Sequence, residues 1–228
     1  MPATPTFRTT TRHMLKESKT YASQTLMGGL SGFESPIGLD RRDRLSALKS
    51  GDIGFVHSWD INTSVDGPGT RMTVFMSGCP LRCQYCDTAY AFSGGEIMSL
   101  EAILERVAAF KPRYVCVTGG EPLAQPNCIP LLEQLCDAGY RVSLETSGVM
   151  DIAPTDRRVS RVVDLKTPGS QEVARNLYSN LDELTGNDQV KFVICSREDY
   201  DWAVSKLIEY GLERRAGEVL FSLSHHDL

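Results

Sequence analysis

The stretch MTVFMSGCPLRCQYC, residues 72–86, joins a short β-rich run to three cysteines in the pattern C-x3-C-x2-C. The cysteines are Cys79, Cys83 and Cys86. Their spacing would also suit one face of a buried helix. However, Pro80 fits a helix only in its first turn, and Arg82 and Gln84 are poorly suited to a buried element. Crowded thiolates usually bind metal, so the pattern favours a zinc ion or an iron-sulfur cluster over a core stripe.

The remaining cysteines offer no second metal-binding pair. Structural zinc normally has four ligands, typically supplied as paired motifs. Cys116, Cys128 and Cys136 stand alone and are interpreted as small buried hydrophobic residues. Three thiolates on a four-iron cluster would leave one iron without a protein ligand, where a cofactor could bind and receive an electron.

Six short β-rich runs follow one another along the chain, with helical patterns between several of them. The runs are residues 72–78, 114–120, 141–148, 161–166, 189–194 and 218–224. Ser99, Pro130 and Ser196 mark the beginnings of three helices. Repeats of strand, helix and strand imply right-handed crossovers and a parallel sheet. The pattern predicts an α/β fold, either an open partial barrel or a doubly wound sheet.

Ligands bind at the carboxyl ends of the strands in both of these arrangements. Polar or glycine-rich segments lie at the ends of five of the six predicted strands. They include Cys79, Gly119, Glu145, Asp164 and Ser222. These segments should converge on one rim, which is therefore the predicted functional site.

The length of 228 residues allows one sizeable domain. We predict a core domain over residues 49–228 and an irregular N-terminal extension over residues 1–48, near whose end RDRLSALKSG indicates a short helix ended by Gly51. A net charge of −5 argues against general nucleic-acid binding, and no apolar run approaches the length of a membrane span. The odd count of seven cysteines and the lack of a signal segment favour a reducing cytoplasm.

CPLRCQYC, residues 79–86, resembles the CxxxCxxC loop of the radical S-adenosylmethionine superfamily. GGEP, residues 119–122, resembles the second signature of that superfamily. The resemblance implies a partial (β/α)6 barrel of the TIM type and a [4Fe-4S] cluster held by Cys79, Cys83 and Cys86. S-Adenosylmethionine would chelate the fourth iron and release a 5′-deoxyadenosyl radical after electron transfer.

The same resemblance implies a set of residues that bind S-adenosylmethionine. The set is Gly119, Gly120, Glu121, Thr146, Ser147, Asp164 and Lys166. The first three would contact the methionine amine, and the last two would approach the ribose and the carboxylate. On sequence alone, Asp164 and Lys166 fit a solvated charge pair at a strand end equally well.

From residue 79 onward the chain resembles the 7-carboxy-7-deazaguanine synthase family, through CDTAYAFSGGE, LETSG and VVDLKTPGS. That family contracts 6-carboxy-5,6,7,8-tetrahydropterin to 7-carboxy-7-deazaguanine in queuosine biosynthesis, a carbon-nitrogen lyase reaction. The resemblance implies Mg2+ at Thr88, beside Asp87, and substrate contacts from Arg71, Thr118 and Glu145. It also implies a pterin substrate, flavodoxin or ferredoxin as electron donor, and a homodimer, with no nucleic-acid or membrane partner.

Upstream of the cysteines the chain resembles a different branch of the radical S-adenosylmethionine superfamily. DGPGTR, residues 66–71, resembles the opening of glycyl-radical enzyme activases such as the pyruvate formate-lyase activating enzyme. The synthase family carries a Gln-Gly-Glu loop there and a histidine segment near its C-terminus, which His225 and His226 do not match. Each unmade hydrogen bond costs ~1–3 kcal/mol, so these departures predict an impaired pterin pocket. An activase and a non-enzymatic zinc-binding module are the alternatives.

Overall fold

The structure, a computed structural model, describes residues 40–63 and 69–224. Its helices are α1 Arg41–Ser50, α2 Leu100–Phe110, α3 Cys128–Asp137 and α4 Arg197–Tyr210. Its strands are β1 Ile53–Thr63, β2 Arg71–Met76, β3 Glu96–Ser99, β4 Tyr114–Gly119, β5 Arg141–Thr146, β6 Ser160–Asp164, β7 Gln189–Ile194 and β8 Glu218–Leu223.

The described strands form one eight-stranded sheet in the order β3-β1-β2-β4-β5-β6-β7-β8. Six of them, β2 and β4 to β8, are parallel and lie side by side in chain order. A doubly wound sheet reverses its strand order at a switch point, whereas a barrel keeps the chain order. The predicted partial barrel is therefore confirmed, and it is open because β3 and β8 are the two unjoined edges.

All six predicted strands are present, and two further strands were not predicted. β1 and β3 pair antiparallel with each other, and β1 pairs antiparallel with β2, so they extend the sheet at one edge. Three predicted helices are confirmed as α2, α3 and α4. Ser99 and Ser196 cap α2 and α4, where their hydroxyls accept hydrogen bonds from Ala102 N and Asp199 N. The connection from β6 to β7 uses only short 3-10 turns.

The two faces of the parallel sheet differ in chemistry. Met72, Val74 and Met76 of β2 lie in an apolar core that is formed with residues of α2 and α3. A second core, beneath α4, contains Val190 and Phe192 of β7. Successive strand residues face opposite sides, so the residues between these lie on the concave face, here called the lumen. Apolar packing against helices thus leaves the lumen free for polar side chains.

The helix predicted near residue 48 is confirmed as α1, which Asp40 caps by accepting from Arg42 N and Asp43 N. α1 continues to Ser50, so it runs across the predicted boundary between residues 48 and 49. Residues 1–39 lie outside the described part, and the division into an extension and a core domain stays a prediction. Among the described helices, none is long and apolar enough to span a bilayer.

Candidate active site

The Gly-Gly segment after β4 packs directly on the backbone that leads into the cysteines. Gly120 N donates to Met76 O at 2.9 Å, and Glu121 N donates to Gly78 O at 2.8 Å. A Cβ atom at position 120 would lie only 2.0 Å from Gly78 O. A residue without a side chain is therefore required where these two segments meet at the rim.

Glu121 ties this segment to the one that follows β5. Its carboxylate is fully buried and accepts hydrogen bonds from Leu123 N at 3.0 Å, Thr146 Oγ1 at 2.9 Å and Ser147 N at 2.7 Å. The Ser147 hydroxyl also donates to it. The structure thus brings together the predicted ligands Glu121, Thr146 and Ser147. The Glu121 side chain is committed to positioning these loops, which leaves backbone groups to face a ligand.

The loop that carries the cysteines is held by the segment that follows β6. Arg82 N donates to Glu172 Oε1 at 2.6 Å, and Gln84 N donates to Ser170 O at 3.2 Å. Cys79, Cys83 and Cys86 are free thiols and partly exposed, whereas the three cysteines interpreted as hydrophobic residues are buried. The loop therefore presents three accessible thiols on a supported backbone.

The arrangement of the three thiols bears on which metal they hold. Within residues 40–63 and 69–224, no group of three His, Cys, Asp or Glu side chains is arranged around a single ion. Zinc draws its thiolates to 2.3 Å from one point, about 4 Å from each other. A four-iron cluster binds each thiolate at a different iron and so needs a wider spacing. Three thiolates can bind a four-iron cluster at three of its irons and leave the fourth iron to another ligand.

Burial affects the protonation of two of these thiols. It raises the pKa of Cys83 to about 11 and also raises the pKa of Cys79, while the positive charge of Lys166 acts in the opposite direction on both. Metal binding requires thiolates, so binding of positively charged iron would release protons from this loop.

Asp164 and Lys166, at the end of β6, form an ion pair of 2.8 Å between Oδ2 and Nζ. Burial alone would lower the pKa of Lys166, but Asp164, Tyr85 and Cys83 outweigh it and the pKa is raised. Lys166 therefore stays charged. The second carboxylate oxygen of Asp164 is buried without a hydrogen-bond partner in the described part of the chain. It can accept a hydrogen bond from a hydroxyl such as that of a ribose, which fits the predicted cofactor contact.

The lumen carries a connected polar group. Thr118 Oγ1 donates to Glu145 Oε2 at 3.1 Å, and Lys191 Nζ lies 4.0 Å from the same oxygen. Burial alone would lower the pKa of Lys191, but Glu145 and Asp164 outweigh it and the pKa is raised. Barrel interiors are usually filled with branched apolar side chains, so charges here are interpreted as groups that face a polar ligand. Sequence reasoning missed Lys191; the only signal was a lysine at an inward position of a strand.

Arg71 is the predicted substrate ligand that the structure does not bring to the rim. It begins β2, and its guanidinium donates to Ser143 Oγ at 3.1 Å and lies 5.8 Å from the Tyr114 ring. Met76, at the carboxyl end of β2, is five positions further along the strand, a distance of about 17 Å. The residue lies at the amino edge of the sheet because the direction of β2 places it there.

Thr88, the predicted magnesium ligand, lies on the cysteine loop. Its hydroxyl donates to Asp87 Oδ1 at 2.6 Å. A hydroxyl and a carboxylate are thus paired beside Cys86, as a hard-oxygen site for Mg2+ needs. Residues 64–68, with the first half of the DGPGTR motif, and His225 and His226 lie outside the described part.

The family model of the Radical SAM superfamily matches residues 73–222, which include every one of these rim segments. The chain belongs to the radical SAM superfamily. Its chemistry therefore relies on a [4Fe-4S] cluster and S-adenosylmethionine, as predicted, and it needs a reductant and a small-molecule substrate. Membership also favours the cluster over the zinc-binding module.

Within this superfamily, the relatives confirm the predicted resemblance to 7-carboxy-7-deazaguanine synthases. The enzyme so named from Koribacter versatilis is 41% identical over 151 residues, 65% of this chain and 67% of that protein. The one from Chlorobaculum tepidum is 39% identical over 143 residues, 61% of this chain and 64% of that protein. The matches thus span about two thirds of the relatives' length. The pyruvate formate-lyase-activating enzyme of Clostridium pasteurianum is 35% identical over 105 residues, 42% of this chain and 44% of that protein.

The fold is shared with a solved radical SAM structure. A crystal structure of QueE from Escherichia coli superposes with a TM-score of 0.60 at 17% identity, covering 74% of this chain and 83% of that chain. At this identity the likeness concerns the fold alone. It agrees with the open barrel.

Proposed function

We propose that this chain is a 7-carboxy-7-deazaguanine synthase, a radical SAM carbon-nitrogen lyase that converts 6-carboxy-5,6,7,8-tetrahydropterin to 7-carboxy-7-deazaguanine for queuosine and related 7-deazapurines. The observation that carries the proposal is the polar group of Thr118, Glu145 and Lys191 in the lumen beside the cysteine loop. The named relatives support it independently.

Each side chain has a role in this proposal. Cys79, Cys83 and Cys86 would hold the cluster, which would supply radical chemistry together with S-adenosylmethionine. The Glu145 carboxylate accepts hydrogen bonds from the N–H groups at the edge of the pterin ring, and Lys191 keeps that carboxylate paired. These lumen groups would hold the ring and fix its orientation.

The cofactor and the metal occupy the rim. Asp164 and Lys166 bind the ribose and the carboxylate of S-adenosylmethionine, and the backbone of residues 119–121 contacts its amine. Thr88, with Asp87, would hold Mg2+, which would supply a positive charge for the substrate carboxylate. Arg71 has no place in this arrangement because it lies at the opposite edge of the sheet.

The electron donor, the oligomeric state and the location of the enzyme belong to the same proposal. A flavodoxin or ferredoxin supplies the electron, and the chain acts as a homodimer. A reducing, cytoplasmic location is supported by seven cysteines that are all free thiols.

The test is anaerobic reconstitution with iron and sulfide, followed by incubation with S-adenosylmethionine, Mg2+, dithionite and 6-carboxytetrahydropterin. We expect the deazapurine by mass spectrometry together with 5′-deoxyadenosine. Formation of 5′-deoxyadenosine without the deazapurine would refute this substrate while leaving the radical chemistry intact.

An activase is the second candidate, and the match to the pyruvate formate-lyase-activating enzyme favours it. It would generate a glycyl radical on a partner enzyme, which electron paramagnetic resonance detects directly. The activase candidate would be excluded if the first assay forms the deazapurine and a partner enzyme encoded beside this chain acquires no glycyl radical.

A further inference from the structure

Three aromatic rings that the proposed function does not use lie together at one side of the lumen. They are His57 of β1, Phe75 of β2 and Tyr90 of the short 3-10 helix Ala89–Phe92. The ring centroids of His57 and Tyr90 are 5.1 Å apart, and those of Phe75 and Tyr90 are 6.3 Å apart. We call these three residues the aromatic wall.

The aromatic wall adjoins the polar group of the lumen. Phe75 is in register with Thr118 on the neighbouring strand, and Thr118 donates to Glu145. Phe75 faces the lumen because Val74 and Met76, on either side of it, lie in the core beneath the helices. A ligand whose edge reaches Glu145 would therefore have the aromatic wall next to it.

The aromatic wall also adjoins the cysteine loop. Tyr90 lies four residues after Cys86, and its neighbour Ala91 accepts a hydrogen bond from Gly78 N at 2.7 Å. This contact fixes the 3-10 helix beside the carboxyl end of β2. The Tyr90 side chain is nevertheless 54% exposed, although it is a large aromatic residue next to a buried segment. An aromatic ring that is exposed at a rim can contact a ligand through its face.

We infer that Tyr90, supported by Phe75 and His57, stacks on the flat pyrimidinone half of the substrate while Thr118 and Glu145 bind its edge. The inference rests on the proposed function and deepens it. Stacking uses the face of a ring and needs no hydrogen-bonding groups. It therefore gives this chain a way to hold a pterin without the Gln-Gly-Glu loop that the sequence lacks.

The test compares three substitutions at one position in the reconstituted protein with S-adenosylmethionine bound. Tyr90→Phe keeps the aromatic face, Tyr90→Leu keeps apolar bulk without it, and Tyr90→Ala removes both. The dissociation constant of 6-carboxytetrahydropterin is measured by anaerobic equilibrium dialysis, and KM and kcat are measured in parallel. Tyr200→Ala is the matched control, since Tyr200 is also exposed but lies on α4 against Phe221.

We expect Tyr90→Leu and Tyr90→Ala to raise the dissociation constant and KM about two- to twelve-fold, the range that aromatic stacking supplies. Tyr90→Phe and Tyr200→Ala should stay within about two-fold of the unmodified protein. Formation of 5′-deoxyadenosine without substrate is measured in each variant, and it should stay unchanged in Tyr200→Ala, which lies outside the proposed site.

Equal binding by the Leu, Phe and unmodified proteins would overturn the inference and leave the proposed function standing. Loss of iron from all three Tyr90 variants would also overturn it, by assigning Tyr90 to support of the cysteine loop. If the unmodified protein neither binds the pterin nor forms the deazapurine, the proposed function itself fails.

Discussion

Glu145 has two positively polarised neighbours at one oxygen, the Thr118 hydroxyl at 3.1 Å and the Lys191 ammonium at 4.0 Å. Its second oxygen is available to a substrate without disturbing this arrangement. The lumen therefore presents a fixed carboxylate acceptor rather than a mobile one. At the scale of single residues, this is the feature on which substrate recognition depends.

Glu145→Gln keeps the shape of this side chain but removes its charge. We expect KM for 6-carboxytetrahydropterin to rise about 10- to 100-fold, because a hydrogen bond to a charged group contributes ~1.5–3 kcal/mol. Formation of 5′-deoxyadenosine without substrate should persist. Glu183→Gln is the control, since the Glu183 side chain pairs with Arg157 at 3.8 Å and is not one of the lumen residues. An unchanged KM in the Glu145 variant would remove Glu145 from the substrate site.

Two loops at the rim meet so closely that one of them must be built of glycine. The segment after β4 hydrogen-bonds to Met76 O and Gly78 O, and a side chain at position 120 has no space. This contact between elements sets how far the Gly-Gly segment stands from the cysteine loop. A cofactor bound between the Gly-Gly segment and the cysteine loop would therefore depend on this contact.

Gly120→Ala should force these loops apart. We expect the dissociation constant of S-adenosylmethionine to rise at least about ten-fold, since displacement of backbone contacts costs more than 1.4 kcal/mol. Gly186→Ala is the matched control because a Cβ atom there meets nothing within 4 Å. Equilibrium dialysis with the reconstituted proteins measures both. Equal affinities in the two variants would contradict the role given to this contact.

β6 and β7 are joined at their amino ends by a buried ion pair. Arg161 Nη2 lies 2.6 Å from Asp188 Oδ2, and both side chains are almost fully buried. Burial alone would raise the pKa of Asp188, but hydrogen bonds from Arg161 and Thr185 outweigh it and the pKa is lowered. This pair stabilises the fold far from the rim.

Asp188→Asn should lower the free energy of unfolding by about 3–5 kcal/mol, because it leaves Arg161 buried without its charge partner. Since the folded pKa of Asp188 lies below the unfolded value of about 3.9, its stabilisation is present above that pH and is lost as the pH falls through the folded pKa. The variant should therefore lose less stability than the unmodified protein on acidification. Denaturant titrations at several pH values measure both effects.

The control for this experiment is Asp182→Asn, which breaks the exposed pair of Asp182 with Arg215. An exposed pair contributes at most about 1 kcal/mol. A similar decrease in the free energy of unfolding in both variants would show that the buried Arg161–Asp188 pair contributes no more than an exposed pair.

At the scale of the whole molecule, both apolar cores and the described site residues lie within residues 40–63 and 69–224. A truncated variant that begins at Asp40 keeps the residue that caps α1. We expect it to assemble the cluster and to form product within about two-fold of the full chain. Iron content and the anaerobic assay measure this. Failure to assemble the cluster would contradict the predicted division at residue 48.

The sequence was sufficient to predict the parallel strands and the rim, because each of these strands is an apolar run that ends in a glycine or a polar residue. It was insufficient for β1 and β3, since β1 is interrupted by polar residues such as His57 and Asp60 and β3 has only four residues, so neither shows that pattern. Pro130 marked the first turn of α3 rather than its first residue, because the first-turn N–H groups need no intrahelical partner. Lys191 was missed because only the tertiary structure brings it to Glu145.

The central claim is that three cysteines hold a four-iron cluster with one iron open to S-adenosylmethionine. Electron paramagnetic resonance of the dithionite-reduced, reconstituted protein, recorded with and without S-adenosylmethionine, tests it most directly. We predict four irons and four sulfides per chain, and a signal whose g-values change when S-adenosylmethionine binds, with the signal lost in Cys86→Ser and kept in Cys195→Ser. One zinc per chain without sulfide would contradict the account. A cluster whose g-values stay the same when S-adenosylmethionine is added would also contradict it.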